Sequence, residues 1–162
     1  VLYGTGIRVS ELIELKLSNI FFKENILKVT GKGNKERFVP LGKIALIEIK
    51  KYLNDRDKLK INSKFSDILF LNRYGRQLTR SMIFKVINDS SKNAEIDKKI
   101  SPHTLRHSYA THLLKNGADL RTIQLILGHE SITTTEIYTH LDTFHLEDVL
   151  KKYHPRENKN QD

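Results

Sequence analysis

Apolar residues recur along most of this chain at spacings of three and four, and only one stretch between residues 20 and 39 breaks into short β-rich runs. That contrast predicts a mainly α domain with a small three-stranded antiparallel β-sheet, an α+β fold. Residues 8–17 (RVSELIELKL) put Val9, Leu12, Ile13 and Leu17 at helical spacing, with Arg8 and Glu11 three apart and so on a shared face. The runs at 20–22, 26–30 and 37–39 are separated by turn residues at 23–25 and 31–34, which predicts the three strands. Helical spacing returns at 43–53, yields to the charged loop NDRDKLKINSKFSD, and is followed by an extended run with a turn at Gly75. The remainder reads as helices at 80–93, 102–116, 120–127, a short segment at 133–140, and 144–153. Ser101 before Pro102 is an N-cap pair, Asp119 can cap the helix after it, and Gly117 and Gly128 stand where left-handed C-caps belong. One domain is expected over 1–153, with a polar, frayed tail at 154–162 (HPRENKNQD).

Composition narrows the partner more than the fold. A chain of 162 residues, 38% hydrophobic, suits one domain with a real core. Its 28 Lys and Arg against 19 Asp and Glu give a net charge of +9, which makes nucleic acid the leading partner and a Lys-rich surface the plainer explanation. The absence of cysteine excludes disulfide staples and thiolate metal sites and fits the cytoplasm. No apolar run approaches the ~20 residues that span a bilayer, and the start lacks the layout of a signal peptide. Because the chain opens on VLYGTG, without an initiator methionine and inside an apolar run, it reads as a piece of a longer protein.

The run SPHTLRHSYATHLL (101–114) carries the candidate chemistry. His103 and His107 have the i, i+4 spacing of a helical zinc pair, yet Thr104 stands where a water-activating glutamate would be and Arg106 would crowd a dication. An amphipathic helix accounts for Leu105, Tyr109 and Leu113, but that face excludes His103 and Arg106, which lie about 60° apart at 100° per residue. A histidine and an arginine beside the N–H groups of a helix start suit a phosphate.

Further single residues are weak alone and informative together: Arg8 after a glycine-containing turn, Lys32 in GKGNK, His129 in LGH, and Tyr138 in IYTH. With H-x-x-R at His103 and Arg106, the set resembles the tyrosine recombinase family, the phage integrase and Xer class. The runs GKGNKERFVPLG, SPHTLRHSYATHLLKNGADLR and IQLILGH are similar to its XerC and XerD branch, and the matches extend over nearly the whole chain.

The resemblance implies that Tyr138 attacks a DNA phosphodiester, leaving a 3′-phosphotyrosyl link and a 5′-hydroxyl, reversibly and with no metal or other cofactor. Arg8 and Arg106 would hold the non-bridging oxygens, and Glu11 would orient Arg8. Lys32 would protonate the leaving oxygen. His129 would donate a hydrogen bond to the phosphate, and His103 would contact it or help take the tyrosine proton. Lys35, Arg37, Arg73, Arg76, Arg80 and Lys85 are the candidates for further DNA contacts, mainly to phosphates. His107, His112, His140 and His145 are left with structural or surface roles. The last helix, with Leu146, Val149, Leu150 and Tyr153 on one face, packs either on its own domain or, as the family implies, on a neighbouring protomer of a tetramer on two duplexes. Two rivals share much of this reading: a type IB topoisomerase and a DNA-binding module without catalysis.

Overall fold

The computed structural model describes residues 1–128 and 140–157, with only the backbone of residues 140–144. Its element order is α1 (Leu2–Thr5), α2 (Val9–Ile13), β1 (Ile20–Phe21), β2 (Ile26–Thr30), β3 (Glu36–Pro40), α3 (Lys43–Arg56), α4 (Arg80–Asn93), α5 (Pro102–Lys115), α6 (Leu120–Leu127) and α7 (His140–Tyr153). The expected class holds: helices surround one antiparallel sheet of order β1-β2-β3.

The sheet's register explains its two faces. Leu27 pairs with Val39 and Val29 with Arg37, so these four side chains share one side, and all four are buried. Against that side pack α6 and α7, while α5 lies against α1 and α6. Tyr109 and Leu113 of α5, Ile123, Ile126 and Leu127 of α6, and Leu146, Val149 and Leu150 of α7 join one core with Ile7, Leu15, Leu41 and Ile49. Burial of each such large aliphatic side chain contributes about 1.5–3 kcal/mol.

The caps are where the sequence puts them. Ser101 accepts from the Thr104 N–H at 3.1 Å, Asp119 from the Thr122 N–H at 2.9 Å, and Gly128 ends α6 at φ 66°. Two expectations need correction. Residues 8–17 are not one helix: α2 stops at Ile13 because the backbone from Leu15 to Leu17 pairs with residues 67–69 instead, Leu69 N–H donating to the Leu15 carbonyl at 2.8 Å and Leu17 N–H to that of Asp67 at 2.7 Å.

Nor do the described residues of the tail, 154–157, fray. His154 is 1% exposed, with its ring 5.0 Å from that of Tyr3 and 5.5 Å from that of Tyr109, and burial holds its pKa below the ordinary value. Asn116 Nδ2 donates to the Tyr153 carbonyl at 2.6 Å. Glu157 accepts from the N–H groups of Lys43 and Ile44 at 3.0 and 3.3 Å, capping α3 where Gly42 has no side chain to do so. Among the described residues no helix is long and apolar enough to cross a membrane.

Candidate active site

The C-terminal end of α6 presents carbonyls that no later turn of helix can satisfy, at the negative end of the helix dipole. Three arginines from three other elements answer them in sequence. Arg37 of β3 donates from Nε to the Ile126 carbonyl at 3.0 Å, Arg106 of α5 from Nη2 to that of Leu127 at 2.6 Å, and Arg8, the N-cap of α2, from Nη2 to that of Gly128 at 3.1 Å. Arg106 also donates from Nη1 to the Gly6 carbonyl at 2.6 Å. Gly6 is needed there: its φ is +64°, and a Cβ would lie 2.5 Å from the Tyr109 ring.

One carboxylate sits among these cations. Glu11, 3% exposed, accepts a two-pronged bond from Arg37 (Nη1 to Oε1 2.6 Å, Nη2 to Oε2 3.0 Å), the Arg8 guanidinium at 3.2 Å, and the Arg8 backbone N–H at 2.7 Å. Burial by itself would raise the Glu11 carboxyl, but hydrogen bonds and charge from Arg37, then Arg8, outweigh it and hold the pKa below the ordinary 4.5. Among the described residues, three guanidiniums against one carboxylate leave an excess of two positive charges. Arg106 registers that excess: burial first, then the charges of Arg8 and Arg37, push it down to about 10. It stays charged at neutral pH, and an anion beside it would relieve the repulsion. Exposure grades outward, with the Glu11 side chain at 1%, Arg37 at 9% and Arg8 at 36%, so the outer rim can meet a ligand while the inner pair cannot.

Arg8 and Arg106 thus come together although 98 positions apart. His103 is exposed on the first turn of α5, one turn before Arg106. Lys32 is exposed on the short turn between β2 and β3, directly after Gly31, whose Cα lies so close to the site that a Cβ would sit 3.4 Å from Glu11 Oε1. His129 and Tyr138 lie outside the described residues; His129 follows Gly128 directly in the sequence. Lys35, Arg73, Arg76, Arg80 and Lys85 are all exposed, as phosphate contacts would have to be, with Arg73 stacked 4.8 Å over the Tyr74 ring.

Arg37 is the correction. Grouped by sequence with the surface cations, it is buried on the core side of the sheet with its guanidinium committed to Glu11 and the Ile126 carbonyl, so it cannot grip DNA from there. Its strand parity with Val39 was the signal that could have assigned it inward. The Arg8–Glu11 pair, open to reading as a surface pair, is present with its carboxylate buried and shared with Arg37.

Arginines clustered from three elements around the last carbonyls of α6, with one buried carboxylate among them, define a class. Residues 1–145 match the phage integrase family, and the chain belongs to it. Among curated proteins it is 48% identical over 157 residues to the tyrosine recombinase XerD of Listeria monocytogenes serotype 4b (strain F2365), across 96% of this chain and 53% of that protein. It is 49% identical over 157 residues to the tyrosine recombinase XerD of Halalkalibacterium halodurans, across 96% of this chain and 52% of the relative. The chain therefore spans about half the length of the curated relatives it matches. Among solved structures, XerA recombinase superposes with a TM-score of 0.75 at 38% identity, over 96% of this chain and 56% of that one. XerH site-specific recombinase, in a post-cleavage complex with a palindromic difH substrate, superposes with a TM-score of 0.70 at 31% identity, over 93% and 43%.

Proposed function

We propose that this chain is the catalytic domain of a site-specific DNA recombinase, cutting and rejoining duplex DNA in the cytoplasm by transesterification. The observation that carries the reading is the convergence of Arg8 and Arg106 on the last carbonyls of α6, where the described residues set three guanidiniums against one carboxylate. Planar guanidiniums match the non-bridging oxygens of a phosphodiester and stay charged as negative density builds. Tyr138 forms the new O–P bond as the bond to the 5′-oxygen breaks. Lys32 gives its proton to the departing oxygen, and His103 helps take the one that Tyr138 loses. His129 donates to the phosphate. One ester replaces another, so the step reverses without a cofactor. Lys35, Arg73, Arg76, Arg80 and Lys85 grip flanking phosphates and position the duplex.

Exchange of strands between two duplexes needs four such domains, and α7 is the element we assign to joining them. Its apolar residues Leu146, Val149 and Leu150 are buried against the chain's own β3 and α5, so joining a neighbour in a ring through that face requires α7 to leave them.

The test is covalent capture. Incubated with nicked duplex carrying its recombination site, the protein should yield a DNA adduct that survives denaturation and vanishes in Tyr138→Phe. Two-duplex exchange products should accompany it; relaxation of supercoils by a monomer, with no exchange, would assign a type IB topoisomerase instead. No adduct on any DNA would reject the reading.

A further inference from the structure

The buried arginine of the pocket does more than neutralise Glu11. Arg37 is wedged between two glycines from opposite ends of the chain. On one side is Gly31, where a Cβ would lie 3.7 Å from Arg37 Nη1 and 3.4 Å from Glu11 Oε1. On the other is Gly128, at φ +66°, where a Cβ would lie 2.9 Å from both Cδ and Nε of Arg37. Gly31 also closes the neck of the β2–β3 hairpin, its N–H donating to the Lys35 carbonyl at 2.8 Å. Each glycine immediately precedes a residue given a part in the reaction: Lys32 after Gly31, His129 after Gly128. The same guanidinium holds Glu11, which holds Arg8.

A core position on β3 could be filled by a leucine at less desolvation cost, because burying a cation is expensive even when it is paired. What a leucine could not do is bond the Ile126 carbonyl and the Glu11 carboxylate with one rigid planar fork beside Gly31. We propose that Arg37 is a positioning residue for proton transfer: it seats the neck of the hairpin against Glu11, so that Lys32 is delivered at a set distance from the phosphate held by Arg8 and Arg106. This rests on the transesterification reading given above.

The consequence is chemically selective. If Arg37 works through Lys32, its loss harms the departure of the 5′-oxygen beyond any effect relayed through Glu11 to Arg8, which would slow both substrates alike. Replacing that bridging oxygen by sulfur removes the need for a proton, because thiols, with pKa near 8.5, leave readily as thiolates. Arg37→Lys keeps the charge and loses the fork. Gly31→Val leaves Arg37 intact and adds two methyls beyond a Cβ that would already touch Glu11 Oε1 at 3.4 Å, the Lys35 carbonyl at 3.6 Å and Arg37 Nη1 at 3.7 Å, crowding the hairpin neck at a backbone φ of −95° that any residue adopts. In the full-length protein, both variants should form the covalent adduct about 100-fold more slowly on the oxygen substrate, the usual scale of a general acid, and recover to within about threefold of the unsubstituted rate on the sulfur substrate. Lys32→Ala should show the same pattern.

Thermal melts identify the folded variants, and should Arg37→Lys not fold, Gly31→Val decides alone. Equal losses on both substrates, or no loss on either, would overturn the role of Arg37 while leaving the recombinase reading intact. Failure of the unsubstituted protein to cleave either substrate would remove that reading, and this inference with it.

Discussion

Glu11 shows how much one side chain can be asked to hold. Its two oxygens meet two guanidiniums and a backbone N–H while almost wholly out of water, so its ionised form is more strongly favoured in the folded protein than in the unfolded one. A carboxyl whose folded pKa lies below its unfolded value contributes full stability above the unfolded value, here 4.5, and loses it as pH falls through the lower folded one. Thermal melts should therefore drop as pH falls below about 4.5, with part of the slope removed in Glu11→Gln, which carries no titrating carboxyl there. A slope unchanged by the substitution would place the acid sensitivity in other groups. The neutral variant should also be the less stable at pH 7, since Arg37 would then be a buried cation without a counter-charge.

At the scale of elements, what was legible followed from local pattern and caps. Residues 80–93 and 120–127 form helices with those bounds because amphipathic spacing, a Thr79 or Asp119 N-cap and a closing turn agree within a few residues. The break after Ile13 was not legible, because what ends α2 is backbone pairing with residues 67–69, some fifty positions on, and no local period reports a partner that distant. Arg37 was misassigned for a related reason: charge suggested the surface, while the pleat that puts Val39 inside also puts Arg37 there. Arg8, Lys32, His103 and Arg106 could be named because each belongs to a short run; that Arg8, Arg37 and Arg106 bond the carbonyls ending the run IQLILGH could not, because those contacts join segments about 20 to 120 positions apart. The turn at Gly128 carries its own prediction. Gly128→Ala would strain a left-handed φ and press a methyl onto Arg37, costing about 1–3 kcal/mol in urea denaturation, with cleavage reduced more than stability accounts for. An alanine as stable as glycine would show that the turn can move aside.

For the molecule as a whole, the ends of the chain bear on the same core. Tyr3 of α1 stacks on His154, its hydroxyl lies 2.8 Å from His112 Nδ1, and Glu157 caps α3, so the segment after α7 is integrated with the first turn of the protein. Around this core the charge is unevenly matched, with one carboxylate set among three guanidiniums in the pocket and a net +9 overall. The unbalanced pair has a thermodynamic corollary. A small oxyanion that sits between Arg8 and Arg106 binds only the folded chain, so folding is linked to its concentration as RT ln(1 + [L]/Kd). Sulfate at one hundred times its dissociation constant should then stabilise the protein by about 2.7 kcal/mol, whereas chloride at matched ionic strength should do far less, and Arg106→Gln should erase the difference. Storage buffer, on this view, is a surrogate substrate.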